Sequence, residues 1–288
     1  MVKNNKLKPY LLLAPITIFL IIIMGSGIVN CILQSVGYFP QIGLNEITFD
    51  YYKEILRDSS FLRSLIFTLK TSFVSAVLSV IIGILISYIL CKSEYSKVRN
   101  YLLNLPIIVP HIVVVFFMIT IFSKSGLISR VFYNLGMIND SSQFLSIVFD
   151  SNGIGIILVY LWKGIPFTAI TVYNILRNIN DKLEKVAINL GAKKLQTFRY
   201  IALPLAMPTI ISSFIILFVF SFGSFEVPLL IGASTPKTLP VQAYTNYISS
   251  DLSQRVSSMV INVVLSSISF VLLIIYNKIF DKINKYEI

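Results

Sequence analysis

The sequence predicts an all-α polytopic membrane protein, a single domain crossing the bilayer as six transmembrane helices. Three observations lead there. Of 288 residues, 56% are hydrophobic and 13% charged, with a mean hydropathy of +0.81; a soluble domain carries about 25% charged residues. Six apolar runs each reach the roughly 20 residues that a helix needs to cross a hydrocarbon core. Basic residues gather between alternate runs: four such segments hold 15 of the 24 Lys and Arg but 5 of the 13 acids. That is the positive-inside pattern. The net charge of +11 therefore reports orientation in a membrane and contact with lipid, not a nucleic-acid partner.

The elements follow in order. Lys3, Lys6 and Lys8 precede the first run with no acid among them. Residues 10–36 are too long for the 7 to 15 apolar residues of a signal core, so they read as a retained first helix that starts in the cytoplasm. Residues 37–61 are polar and acidic, with Glu46, Asp50, Glu54 and Asp58, and belong outside. Residues 63–90 form the second span, whose Arg63 and Lys70 can snorkel to the outer interface. A basic inner loop, residues 91–100, leads to the third span at 101–122, with Pro106, Pro110 and His111 near its inner end. Prolines are tolerated there where neighbours satisfy the freed carbonyls. Residues 123–151 return outside. The fourth span, 152–176, is interrupted by Trp162, Lys163, Gly164 and Pro166. After an inner loop at 177–205 come the fifth span, 206–232, an outer segment, 233–256, and the sixth span, 257–280. Both termini then lie in the cytoplasm.

Several chemistries are excluded. No G-x-x-x-x-G-K-[ST] loop cradles nucleotide phosphates, and no H-E-x-x-H occurs. With His111 the one histidine, a serine nucleophile lacks its usual imidazole base, and the expectation is a protein that is not an enzyme and has no metal site. Cys31 and Cys91 fall near opposite faces of a core about 30 Å thick, so they are expected to be free thiols. His111 reads as a helix-end residue. Two charges lie inside spans, Lys163 and Glu226; at mid-membrane each costs about 2.5 to 3.5 kcal/mol and is normally turned to the bundle interior or a watery path. They either line a translocation path with Tyr160, Trp162, Ser221 and Ser224 or are structural, as an ion pair or, for Glu226, as a group close enough to the outer surface to be solvated.

The inner loop holds the most specific signal. Glu184 to Leu190 reads as a short helix with Leu183, Ala187 and Leu190 on one face, ended by Gly191. A second helix carries Leu195, Phe198, Ile201 and Ala202, and Leu203-Pro204 is expected to close it. This segment resembles the cytoplasmic loop of bacterial ABC importer permeases, with pattern Glu-Ala-Ala, three residues, Gly, nine residues, Ile, one residue, Leu-Pro. Gly191, Ile201, Leu203 and Pro204 stand in register, and Ala187 is the surviving alanine; Lys185 and Val186 depart from the pattern, and Glu184 sits one place early.

The resemblance implies the type I importer permease fold and a multi-pass place in a bacterial cell membrane. It also implies that the loop fits a cleft on a separate ATPase subunit, with Glu184, Ala187, Gly191, Ile201, Leu203 and Pro204 as the coupling residues. Two permease chains, identical or related, would form the path, and an extracellular or periplasmic binding protein would deliver solute. ATP would be bound by the partner subunit and no cofactor by this chain. Residues 221–232, SFGSFEVPLLIG, followed by Leu239-Pro240, resemble permeases of the spermidine/putrescine group, whose relatives handle iron, thiamine and 2-aminoethylphosphonate. A second class, an ion-coupled secondary transporter, would need ionisable residues or broken helices in several spans.

Overall fold

A computed structural model describes residues 8–92, 97–179, 183 and 185–284. Among them no strand forms beyond an isolated bridge between Phe39 and Leu44, and six helical segments are long and apolar enough to cross a membrane. The helices in order are α1 (Lys8–Ser35), α2 (Asp50–Arg57), α3 (Ser59–Lys92), α4 (Lys97–Ile108), α5 (His111–Phe122), α6 (Leu127–Asn134), α7 (Ile154–Ile179), α8 (Lys185–Asn189), α9 (Lys194–Thr197), α10 (Leu203–Gly223), α11 (Glu226–Ile231), α12 (Leu239–Tyr247) and α13 (Ser253–Asn284). Two compact units emerge, Met1–Leu62 with Gln242–Ser267 and Arg63–Val241 with Ile268–Ile288.

In the first unit, none of the apolar window of α1 is buried, as suits a helix whose solvent is hydrocarbon. Its C-terminal end is tied down by polar contacts. Ser35 and Tyr52 share a hydroxyl–hydroxyl bond of 2.7 Å, and the Thr48 N–H donates to the Val36 carbonyl at 2.8 Å. Gly37 makes the turn between them at φ +85°, where a Cβ would lie 2.8 Å from the Tyr51 ring. On α2, the Lys53 ammonium donates to Asp50 at 2.9 Å and holds that carboxyl below the usual carboxylate range.

The second unit is organised on α3 and α7, which run parallel. A stripe of hydroxyl residues, Ser64, Thr68, Thr71, Ser75, Ser79 and Ser87, is buried along α3 at the three- and four-residue spacing of one helix face. Small residues permit close approach of helices in lipid, and here they meet glycines. A Cβ on Gly83 would lie 2.6 Å from the Thr168 Cβ, and one on Gly164 would strike the Ser79 side chain. Ser87 donates to Gly83 O of its own helix and to Ala169 O of α7, at 2.7 and 2.8 Å. Thr68 accepts the Leu239 N–H at 2.8 Å where Leu239 is fully buried. Thr68→Val should strand that N–H and lower stability by about 1–3 kcal/mol, checked by unfolding in detergent. Beside this seam an apolar core gathers Val114, Val115, Val159, Tyr160, Val227 and Ile231.

Four boundaries differ from the sequence expectation. The stretch 101–122 is not one helix: Pro110, extended at ψ 145°, separates α4 from α5. Proline also steers the residue before it away from the α region. The apolar segment continues from His111 to Asn134 instead, so α6 and α12 occupy stretches expected to be outer loop. α7 is not interrupted at Trp162–Gly164; it runs unbroken with Pro166 inside it, because Gly164 serves close packing and not a break. The fifth span stops at Gly223, and Glu226 heads a helix of its own. Continuing the helix would require Pro228 to donate to Ser224, and proline has no N–H.

Candidate functional site

Two features stand out in the second unit, the surface segment from α8 to the start of α10 and a cavity between helices. α8 ends in a left-handed turn. Gly191 has φ +93°, and nothing lies within 4 Å of the position its Cβ would take. Its N–H donates to Ile188 O at 2.9 Å and the Ala192 N–H to Ala187 O at 3.0 Å, the pair of bonds that closes a helix over a C′ glycine. The next helix opens with the Gln196 side chain accepting the Lys193 N–H at 2.8 Å, which satisfies a donor the helix end leaves free.

Leu203-Pro204 does not close this second helix, contrary to expectation. Leu203 is helical at φ −64°, ψ −47°, and its N–H reaches back to Phe198 O across a π-helical turn, Phe198–Ala202. The wider turn removes the clash that proline makes with the carbonyl four residues earlier, so Lys194–Gly223 forms one continuous helical segment.

One side of the segment grips the chain. Phe198 lies 4.3 Å from the Tyr88 ring, itself covered by the Lys92 ammonium at 3.9 Å, and Ala202 joins a core with Val172 and Leu176. The other side shows apolar groups to solvent: Leu190 is 83% exposed, Tyr200 70% and Leu195 64%. Lys193, Lys194 and Arg199 stand among them, also exposed. The expected inward face of Leu183, Ala187 and Leu190 is therefore mostly outward, with Ala187 alone buried, because the glycine turn carries Leu190 off the helix.

The cavity measures about 180 Å³ and is bounded by α3, α4, α5, α7 and α10; Ser75, His111, Tyr160, Lys163, Phe220 and Ser221 are on its wall. The His111 ring stacks on Phe220 at 5.2 Å. Tyr160 is 6% exposed, and its hydroxyl is buried. Ser75 and Ser221 donate to carbonyls of their own helices.

A family model described as "Binding-protein-dependent transport system inner membrane component" matches residues 79–285. The chain belongs to that family. It is accordingly a multi-pass inner-membrane permease subunit of an ABC importer, a class without catalysis of its own. The permease is 28% identical over 238 residues to the molybdate/tungstate transport system permease protein WtpB of Pyrococcus abyssi, covering 80% of this chain and 85% of that one. It is 26% identical over 237 residues to the inner membrane ABC transporter permease protein YdcU of Escherichia coli, 77% of this chain and 74% of that relative. A sulfate transport system permease protein, cysT of Helicosporidium, matches at 25% over 173 residues, 59% of this chain, which spans 60% of that relative's length. Among solved structures, a bacterial transporter that imports the acidic polysaccharide alginate superimposes with a TM-score of 0.78 at 19% identity, covering 96% of this chain and 98% of that one. The MetNI methionine transporter gives 0.57 at 20%, over 77% and 95%. These two likenesses concern the fold.

The structure brings together only part of the expected path. Tyr160, Lys163 and Ser221 line the permease cavity. Trp162 does not; its ring lies 6.0 Å from Phe117, and its buried N–H is unpartnered. Ser224 caps α10, beside the Tyr160 hydroxyl, and Glu226 is exposed outside the cavity wall. Lys163 and Glu226 form no ion pair, since the one such pair among the described residues joins Lys53 to Asp50. Of the loop residues, Gly191 and Pro204 are exposed, Ala187 is buried and Ile201 and Leu203 are half-buried; Glu184 lies outside the described residues. His111 and Ser75 were missed as wall residues. The hydroxyl period of α3 could have pointed to Ser75, whereas nothing local marks His111. Neither cysteine is in a disulfide, as expected.

Proposed function

We propose that residues 184–204 are the surface on which a separate ATPase subunit docks, and that this permease moves a small solute when that subunit binds and hydrolyses ATP. The observation that carries the reading is the glycine-capped turn at Gly191, which holds Leu190 83% exposed beside Leu195 and Tyr200 in a basic surround. Apolar side chains held out in this manner, rimmed by charge, are the anatomy of a protein interface. The basic surround also supports a cytoplasmic place for this loop and for both termini. A second permease chain, identical or related, completes the path, and an extracellular binding protein delivers the solute. Nucleotide belongs to the partner, and this chain binds no cofactor.

On cargo, the spermidine/putrescine reading rests on residues 221–232, and its carboxylate, Glu226, stands outside the cavity. The relatives named for sulfate and for molybdate or tungstate favour a small oxyanion instead. Family membership leaves the ion-coupled alternative without support.

The docking reading is tested with an ABC ATPase subunit that co-purifies with this chain, titrated onto the permease in nanodiscs. Leu190→Asp and Leu195→Asp together should weaken binding at least about tenfold, the loss of a modest interface anchor, with insertion unchanged. Undiminished binding by the double variant would move the interface elsewhere.

A further inference from the structure

The cavity has one fixed charge on its wall and no carboxylate on that wall to balance it. Lys163 is half-buried, makes no ion pair, and no Asp or Glu lines the space around it. A cation inside a membrane segment is normally paired or turned to water; one held in a cavity without a protein counter-ion is placed for a counter-ion that arrives from outside. A second observation points the same way. Tyr160 is on the same wall, its buried hydroxyl set beside Ser224, and a phenol so placed offers a neutral donor to an entering group. Ser75 and Ser221 have already given their protons to helix carbonyls. The protons left for a solute are therefore those of the Lys163 ammonium, the Tyr160 phenol, the Ser79 hydroxyl and one nitrogen of the His111 ring. All four can donate, and charge-assisted donation to an oxyanion is the strongest use of such a set.

From this we infer that the cavity is an oxyanion subsite on the transport route, with Lys163 as its charge and the Tyr160 hydroxyl as its neutral donor. The inference rests on the permease reading above and gives its small oxyanion a site within this chain. A volume of about 180 Å³ accommodates a small oxyanion with several waters, each taking about 30 Å³. A polyamine would meet the ammonium as a like charge with no carboxylate on the wall.

Trp162, the single tryptophan of the chain, adjoins Lys163 and supplies the readout. The full chain in nanodiscs is titrated with sodium molybdate, sodium sulfate and spermidine at constant ionic strength, and Trp162 fluorescence is followed against free tryptophan. Molybdate or sulfate should give a saturable change, Lys163→Gln should weaken it at least about tenfold, Lys163→Arg should retain it, and Tyr160→Phe should weaken it severalfold. Saturation by spermidine alone, no saturation by either anion, or equal anion affinity in Lys163→Gln would each overturn the inference. ATPase docking is measured on the same discs. Docking without anion binding rejects the subsite alone, whereas loss of wild-type docking rejects the reading beneath it.

Discussion

Gly191→Pro is expected to abolish ATP-driven uptake, by at least about a hundredfold, while the chain still inserts and folds. The native turn needs φ +93°, and proline fixes φ near −65°. Proline also removes the N–H that donates to Ile188 O, so α8 loses its terminal bonds and Leu190 moves off its place. Gly191→Ala separates this effect from simple crowding. Its Cβ meets nothing within 4 Å, leaving a left-handed backbone cost of about 1–2 kcal/mol, and uptake should fall only severalfold. Reconstituted uptake with membrane fractionation as the insertion control decides the matter. Proline-variant uptake within twofold of wild type would show that the turn plays no part in coupling.

Gly83→Leu should be the most destabilising of the packing changes. A Cβ there lies 2.6 Å from the Thr168 Cβ and 3.1 Å from the Ala169 amide, and the remaining side-chain atoms must go where α7 already is. Overpacking of this kind costs about 1–3 kcal/mol and at times more, an apparent Tm lower by roughly 5–10 °C. Moving α3 off α7 would also break the Ser87 bond to Ala169 O. Gly25→Leu is the matched control, because a Cβ at Gly25 meets nothing within 4 Å and the new side chain would face lipid. Equal Tm values for the two variants would mean that the close seam between α3 and α7 does not govern stability.

Much of this architecture is written in local apolarity. Lipid-facing helices such as α1 need only length and hydropathy, and there the expected 10–36 agrees with Tyr10–Ser35. Failures came where proline or glycine has more than one use. Pro110 ends a helix because Val109 before it is free to leave the α region, whereas Pro204 follows a π-helical turn that accommodates it, and the two look alike in sequence. Gly164 beside Lys163 and Pro166 has the look of an interruption in sequence, yet it is the point of contact with Ser79. Within the site, Lys163 announced itself as a charge in an apolar run. Its neighbour His111 did not, because whether it faces Phe220 and the cavity depends on how α5 is placed against α10, which no local pattern encodes.

The unbroken run from Lys194 to Gly223 has a mechanical consequence. At 1.5 Å per residue, its 30 residues make a lever arm of about 45 Å, with Leu195 and Tyr200 near one end and Leu217, Phe220 and Ser221 near the other. A partner that gripped Leu195 and Tyr200 would displace the cavity wall through this one continuous helix, with no intermediate relay.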